Sequence, residues 1–405
     1  MKKIITLILV LIMTVSAFCF CASADSGVTV YVDGAAVEFD VPPQIINDRT
    51  MVPMRAIFEK IGAEVTWDDA TKTAISKKDG TTVSITIGEY KLNVNGKDVE
   101  IDVPAQIVDS RTLVPVRAIS ESFNCDVFWQ EEYRAVRVVT LKLPEAAKTP
   151  DDEILFCTLG TDSPIEISKA KFEFYQAMLP DAPEQEVIDT IRRVEAMYIY
   201  HTQKGFPMVE IFNDLLNASL YEMVTSAEYP QFVAENSATD AVMRDYFTKY
   251  QFIEFAQYCE EIPEYPDSEI IAYIRENYVW VKHILVEDEA LANDLVKQLK
   301  DGASFEELVL NHSTDYMDVE KGYVFTHGKM VKEFEDVSYA LKDGEISEPV
   351  KSTYGYHIIK KYPMSELSDA QLITQLKEEV TFELLNDNYQ KEINAIVETL
   401  TVAKK

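Results

Sequence analysis

Residues 352–360 read STYGYHIIK, an apolar, β-branched and aromatic run with an imidazole, His357, near its centre. A buried strand has little use for such a ring unless the ring finds hydrogen-bond partners, because an unsatisfied buried polar group costs free energy. Residues 279–286, VWVKHILV, place His283 in the same kind of setting. Alternate side chains of a strand share a face, so Val281, His283 and Leu285 point one way, as do Gly355, His357 and Ile359. If the two strands are neighbours, both rings lie on one side of a sheet and need a shared polar partner. Asp315 and Thr353 are the candidates.

Outward from these strands, residues 279–362 read strand, helix, helix, loop, helix, strand, strand. Ala292, Leu295, Val296 and Leu299 give the first helix an apolar stripe, Asp301-Gly302 ends it, and Ser304 with Glu307 caps the second. Met330 and Phe334 stand four apart, a spacing that on a helix makes one small apolar wall.

KHILV (282–286), GASFEEL (302–308), STD (313–315), GKMVKEF (328–334), GEISEPV (344–350) and GYHII (355–359) occur in one fixed order. In that order the segment resembles the parvulin, or PpiC-like, family of peptidyl-prolyl cis-trans isomerases. The resemblance implies a small antiparallel sheet with surrounding helices that isomerises X-Pro bonds with no cofactor or metal. It implies a buried pair of His283 and His357 with Asp315 as acidic partner. Tyr354 stands where some members carry a small hydroxyl residue, which leaves Thr353 as the network hydroxyl. Met330, Phe334 and Phe325 are then the proline pocket. Rotation about a peptide bond meets a barrier of roughly 18–20 kcal/mol because resonance is lost on twisting. A pocket that desolvates the planar amide and holds the twisted form lowers that barrier without attacking the bond. One departure stands out: many members carry GGDLGWF before the pocket, and this chain has the shorter EKGYVF at 320–325.

The N-terminal part repeats itself. VDGAAVEFDVPPQIINDRTMVPMRAIFEKIGAEVTW (32–67) returns as VNGKDVEIDVPAQIVDSRTLVPVRAISESFNCDVFW (94–129). Each unit reads as a hairpin at Asp/Asn-Gly, a strand limited by proline, a short helix and a strand ending in tryptophan. The pattern resembles the tandem copper amine oxidase N-terminal domain over residues 26–141. Copper is not expected, because no histidine precedes His201 and only Cys125 is in reach. The resemblance implies a spacer or a module that attaches to cell-wall polymers. Arg49 and Arg111, matched between the units, are read as ion-pair partners.

Residues 142–162 read as a linker running into a strand, and 163–278 as a helical, client-binding domain with helices near 184–204, 207–224, 229–237, 239–261 and 267–277. His201 falls in a last helical turn, where a cation is favoured. Residues 364–405 form C-terminal helices expected to pack on that domain, so that the parvulin segment, 279–363, is an insertion.

Lys2 and Lys3, the apolar run Ile4–Val15 and Ala22-Ser23-Ala24 follow the order of a secretory signal peptide over residues 1–24. Cys19 and Cys21 follow Phe18 and Phe20, where a lipid-anchoring site carries a small residue, so no anchor is expected. No later stretch approaches the roughly 20 apolar residues of a membrane span. The formal net charge of −31 argues against nucleic acid as a partner. The three cysteines after the leader form no disulfide framework. The sequence thus describes a multidomain α+β chain, exported and extracytoplasmic: a foldase acting on unfolded or folding exported polypeptides that contain X-Pro bonds. A non-catalytic holding chaperone or wall-binding surface protein, with the parvulin segment as scaffold, is the alternative.

Overall fold

The computed structural model describes residues 27–207, 209–315 and 321–404; the expected leader and Glu320 lie outside them. Residues up to Glu260, joined by those from Ile393 onward, form one compact unit, and Glu261–Glu392 a second.

In the first unit the opening repeat supplies β1 (Thr29–Val32), β2 (Ala35–Ala36), β3 (Gln44–Ile46), β4 (Arg49–Pro53), α1 (Met54–Lys60), β5 (Glu64–Asp68) and β6 (Thr73–Lys78). β7 (Thr81–Thr86) leads into β8 (Lys91–Val94), β9 (Lys97–Glu100), β10 (Gln106–Val108), β11 (Arg111–Pro115), α2 (Val116–Glu121), β12 (Asp126–Gln130) and β13 (Ala135–Val139). Asp33-Gly34 and Asn95-Gly96 turn the hairpins with positive φ at both positions, which suits tight hairpin turns. Pro53 and Pro115 end β4 and β11 and open the two helices. β4 pairs antiparallel with β11, Val52 opposite Val114, so the repeats are related by a local two-fold axis. Across it Arg49 meets Asp102 and Arg111 meets Asp40, each at 2.6 Å and about half exposed. The two arginines are therefore reciprocal ion-pair partners, and at that exposure the pairs add little stability. The two ends close differently: β6 reaches β8 through β7, whereas β13 pairs directly, and in parallel, with β1.

The chain continues through α3 (Pro150–Glu153), β14 (Leu155–Leu159), β15 (Ile165–Ser168), α4 (Lys169–Met178), α5 (Glu184–Lys204), α6 (Val209–Thr225), α7 (Tyr229–Glu235) and α8 (Asp240–Cys259). The stretch read as a linker ends in the central strand of a small sheet, because β14 is flanked by β15 and by Val402–Lys404. Phe247, Phe252 and Phe255 are core, while Tyr250 and Tyr258 are exposed. His201 is only 2 % exposed and burial lowers its pKa, so it is not the cationic helix-end partner its position predicts. Four charges close a ring between α4, α5 and α8. Lys171 meets Glu195 at 2.6 Å and Asp245 at 2.7 Å, and Lys249 meets the same two carboxylates at 2.7 and 2.9 Å. Burial works against the Lys171 charge, but Glu195 and Asp245 outweigh it and raise its pKa.

The repeats are docked on α6. Arg137 forms a bidentate pair with Asp214 at 2.6 and 2.7 Å, nearly out of solvent, and Ala135 packs on Ile211. Gly34 lies so close that a Cβ there would come 2.4 Å from the Leu215 nitrogen, whereas its counterpart Gly96 faces open space.

The second unit contains α9 (Asp267–Asn277), β16 (Val279–Val286), α10 (Glu289–Lys300), α11 (Phe305–His312), β17 (Tyr323–Phe325), α12 (Lys332–Ala340), β18 (Val350–Ser352), β19 (Gly355–Tyr362) and most of α13 (Asp369–Thr399). Its antiparallel sheet has the order β17-β16-β19-β18. On one face Ile284, Val286 and Ile358 pack with Leu295 and Phe305; on the other Val281 and Ile359 pack with Phe325 and Phe334. Residues 267–277 and 369–384 fall elsewhere than their expected places in the helical domain. Ile270 and Ile274 pack with Tyr278 and Trp280 and with Leu372, Leu376 and Val380, so both helices share a core with the strand that carries His283. β17 replaces the expected loop, because Tyr323 and Phe325 pair with β16.

Candidate active site

β16 and β19 are adjacent and antiparallel, with His283 opposite Ile359 and Leu285 opposite His357. The two imidazoles therefore share a sheet face, offset by one pair, and both are 4 % exposed. Their Nδ1 atoms are 3.0 Å apart, the rings are stacked 14° from parallel, and the Phe334 ring meets each edge-on at 5.1 and 5.2 Å. Asp315 Oδ2 lies 2.7 Å from His283 Nε2, and Ser352 Oγ lies 2.7 Å from His357 Nε2.

The partners dictate where the protons sit. An ionised Asp315 can only accept, so His283 carries its proton on Nε2 and, being neutral, accepts at Nδ1. His357 therefore donates from Nδ1 and accepts at Nε2 from the Ser352 hydroxyl, which in turn accepts the Tyr354 N–H at 3.0 Å. Every donor in this chain points toward Asp315. Burial keeps both rings neutral: it lowers the His283 pKa against the pull of Asp315, and burial with the neighbouring His283 pushes His357 down to about 4. Burial would raise the Asp315 pKa, but the hydrogen bonds from His283 and Tyr323 outweigh it and hold the carboxyl below its usual range.

The pair opens onto a cavity of about 320 Å³. Leu285, Met330, Val331 and Phe334 form its apolar wall; His283, His357 and Asp315 form its polar side. Tyr323 supplies the remaining wall, and its hydroxyl donates to Asp315 Oδ2 at 2.9 Å. Lys329 and the exposed Tyr354 stand at the rim, and Lys329 is held by Glu379 and Glu383.

Of the residues predicted from sequence, His283, His357, Asp315, Met330 and Phe334 meet at this cavity. Three details differ. Thr353 is not the network hydroxyl: it sits in the two-residue turn between β18 and β19, whereas Ser352, paired with Gly355, stands on the same face as His357. Met330 precedes the helix, since α12 begins at Lys332, so it reaches the cavity from the bend before it. Phe325 does not line the cavity; it lies 3 % exposed behind Phe334, ring centroids 6.0 Å apart, and supports that ring from the core. Tyr323 was hidden because the departure at 320–325 removed the pattern that marks this wall. Its neighbour Gly322, at φ 64°, lets β17 approach, since a Cβ there would lie 2.5 Å from the Val281 carbonyl.

Sheet, helices and site define a PPIC-type PPIASE domain, whose family model matches residues 284–362; that of the copper amine oxidase N-terminal domain matches residues 31–138. Among curated relatives, Foldase protein PrsA 1 of Bacillus cereus is 44% identical over 126 residues, covering 30% of this chain and 40% of that protein. Foldase protein PrsA of Caldanaerobacter subterraneus is 33% identical over 185 residues, covering 43% of this chain and 59% of that protein. The chain thus spans between 40% and 59% of the length of these relatives. The crystal structure of PrsA from Bacillus subtilis aligns at 26% identity over 61% of this chain and 93% of that one, with a TM-score of 0.24.

Proposed function

We propose that the chain is an exported foldase that catalyses cis/trans isomerisation of X-Pro bonds in unfolded or folding polypeptides. The observation that carries this reading is the joining, in one cavity, of an apolar wall of Leu285, Met330, Val331 and Phe334 to a neutral, hydrogen-bonded histidine pair. A prolyl ring resting on Phe334 and Met330 leaves its amide beside the polar side, away from bulk water. The planar amide is more polar than the twisted one, so losing its solvation raises the ground state more than the transition state. His283, His357 and Asp315 hold that side rigid and need neither bond to the substrate nor pass it a proton. The similarity to PrsA foldases supports polypeptide clients.

The test is a refolding reaction limited by proline isomerisation. Wild type accelerates the slow phase, and His283→Ala, Asp315→Ala and Phe334→Ala lose the acceleration. No acceleration at micromolar protein sinks the enzymatic reading and leaves the holding chaperone.

The reading extends to place. The leader-like order of the N-terminal residues favours an extracytoplasmic protein, and among the described residues no helix is long and apolar enough to cross a membrane. The helical part of the first unit would hold clients, and the repeats would contact cell-wall polymers. Sedimentation of the intact protein with cell-wall material, against a chain lacking 26–141, tests attachment; equal recovery of both leaves the repeats as a spacer.

A further inference from the structure

Tyr323 does two things at once. Its ring is a wall of the cavity and meets His283 edge-on at 5.7 Å, while its hydroxyl is the second donor to the same Asp315 oxygen that receives His283. The hydroxyl is not a surface ornament: burial, then the bond to Asp315, pushes its pKa up to about 12, so it remains a donor at every pH at which the protein works. Among the described residues Asp315 takes one bond from its own loop, its backbone N–H donating to Ser313 Oγ at 3.3 Å, and its side chain is 29 % exposed. Tyr323, by contrast, is fixed in a strand paired to β16, opposite Val281 and so on the same sheet face as His283.

We propose, resting on the isomerase reading above, that Tyr323 is a positioning residue: its hydroxyl fixes the Asp315 carboxylate as the acceptor that orients the histidine pair, while its ring closes the proline pocket. The residue thus links binding to network geometry through two separable parts of one side chain. A charge-assisted hydrogen bond is shorter and stronger than a neutral one. Removing the hydroxyl leaves His283 as the remaining side-chain donor to Asp315 among the described residues and frees the carboxylate to turn toward solvent.

Among the described residues the groups facing Asp315 are His283 and His357 from β16 and β19, Tyr323 from β17, and Lys329 across the cavity, whose charge Glu379 and Glu383 already engage. Losing the Tyr323 donor raises the Asp315 pKa, so the acid limb of the activity profile moves to higher pH. Because the ring stays in place, substrate binding is spared.

The experiment measures kcat and KM for an Ala-Pro peptide and for an unfolded, proline-limited client between pH 4 and 8. Tyr323→Phe lowers kcat by about tenfold at unchanged KM and shifts the acid limb upward. Tyr323→Leu, which also removes the wall, raises KM as well. In the Asp315→Asn background, Tyr323→Phe has no further effect. The proposal is overturned if Tyr323→Phe matches wild type in kcat and acid limb, if its loss appears in KM alone, or if the two substitutions multiply independently. Melting curves identify a variant that fails to fold, and Tyr323→Met then takes the place of Tyr323→Leu. Absence of activity in wild type overturns the isomerase reading instead, so the two failures are told apart.

Discussion

The two units each bury a polar cluster, and they satisfy it by opposite means. In the first, Lys171, Glu195, Asp245 and Lys249 carry full charges that close on one another, two of each sign. In the second, His283 and His357 carry no charge, and a one-way chain of hydrogen bonds delivers them to a single carboxylate. Both clusters border a cavity: Lys171, Asp245 and Lys249 line one of about 270 Å³, and the histidine pair one of about 320 Å³. Complete charge pairing gives a cluster that is expensive to disturb, whereas the neutral rings stand beside an apolar wall with no ion awaiting compensation. The contrast separates a cluster that ties three helices together by charge from one that orients a polar side by directed hydrogen bonds.

The largest effect is expected in the charged ring. Lys171→Met leaves Glu195, 2 % exposed, to Lys249 alone, and removal of one partner from a buried ion pair costs about 3–5 kcal/mol. Denaturant unfolding of the first unit measures it, and Lys171→Met with Glu195→Leu should restore much of the loss. Full activity is expected to remain in Lys171→Met wherever the protein is folded. A fall in activity that outruns unfolding would break the comparison.

Asp315→Asn is the mirror experiment. The amide oxygen can still accept from His283 and Tyr323, but the charge that strengthens both bonds is lost, so the acceptor that orients the chain is weakened. kcat/KM should drop about ten- to a hundredfold, equivalent to about 1.4–2.7 kcal/mol of transition-state stabilisation, with the melting temperature almost unmoved because Asp315 is partly exposed. A large destabilisation with modest loss of activity would make the histidine cluster structural after all.

The clusters also answer differently to acid. The histidine pKa values lie below the unfolded value near 6.5, that of His357 at about 4. Below 6.5 the unfolded chain binds protons that the folded one refuses, so the pair's contribution is intact above pH 6.5 and lost as pH falls toward 4. Asp245 is held below its usual range because Lys171 and Lys249 outweigh its burial. It gives up its share only below the ordinary carboxylate range, so the contribution of Asp245 is steady across the same window. Thermal melts from pH 7 to 4 should show the second unit weakening first, with the weakening reduced in a His283→Gln, His357→Gln variant. Equal acid sensitivity in that variant would refute the assignment.

The smallest effect discriminates two neighbouring hydroxyls. Ser352→Ala removes the donor to His357 and should cost about 1 kcal/mol, with a few-fold loss in kcat. Thr353→Ala should change neither, and the reverse ranking would restore the hydroxyl read from sequence.

Much of this was legible because local chemistry and tertiary need agreed. The helices at 184–204 and 267–277 lie where their apolar periodicity puts them, and the capping serine at 304 accepts the Glu307 N–H. Strand parity gave His283 and His357 a shared face on the condition that their strands are neighbours, and the resemblance to parvulins supplied the pairing. What escaped was set by partners distant in sequence. Ser352 rather than Thr353 depends on where the hairpin turns, Phe325 packs in the core behind Phe334, and Leu372, Leu376 and Val380 of α13 pack with Ile270 and Ile274.

The strand Val402–Lys404 carries a consequence for biosynthesis. It pairs with β14, some 240 residues earlier in the chain, and all of Glu261–Glu392 is translated in between. The contiguous unit can therefore reach its native state while β14 still waits with a bare edge. A chain cut short past residue 392 keeps the whole of the second unit and leaves an unpaired strand edge free to recruit neighbours. Quality control of this protein should accordingly be sensitive to lesions in Val402–Lys404, far in sequence from the histidine pair.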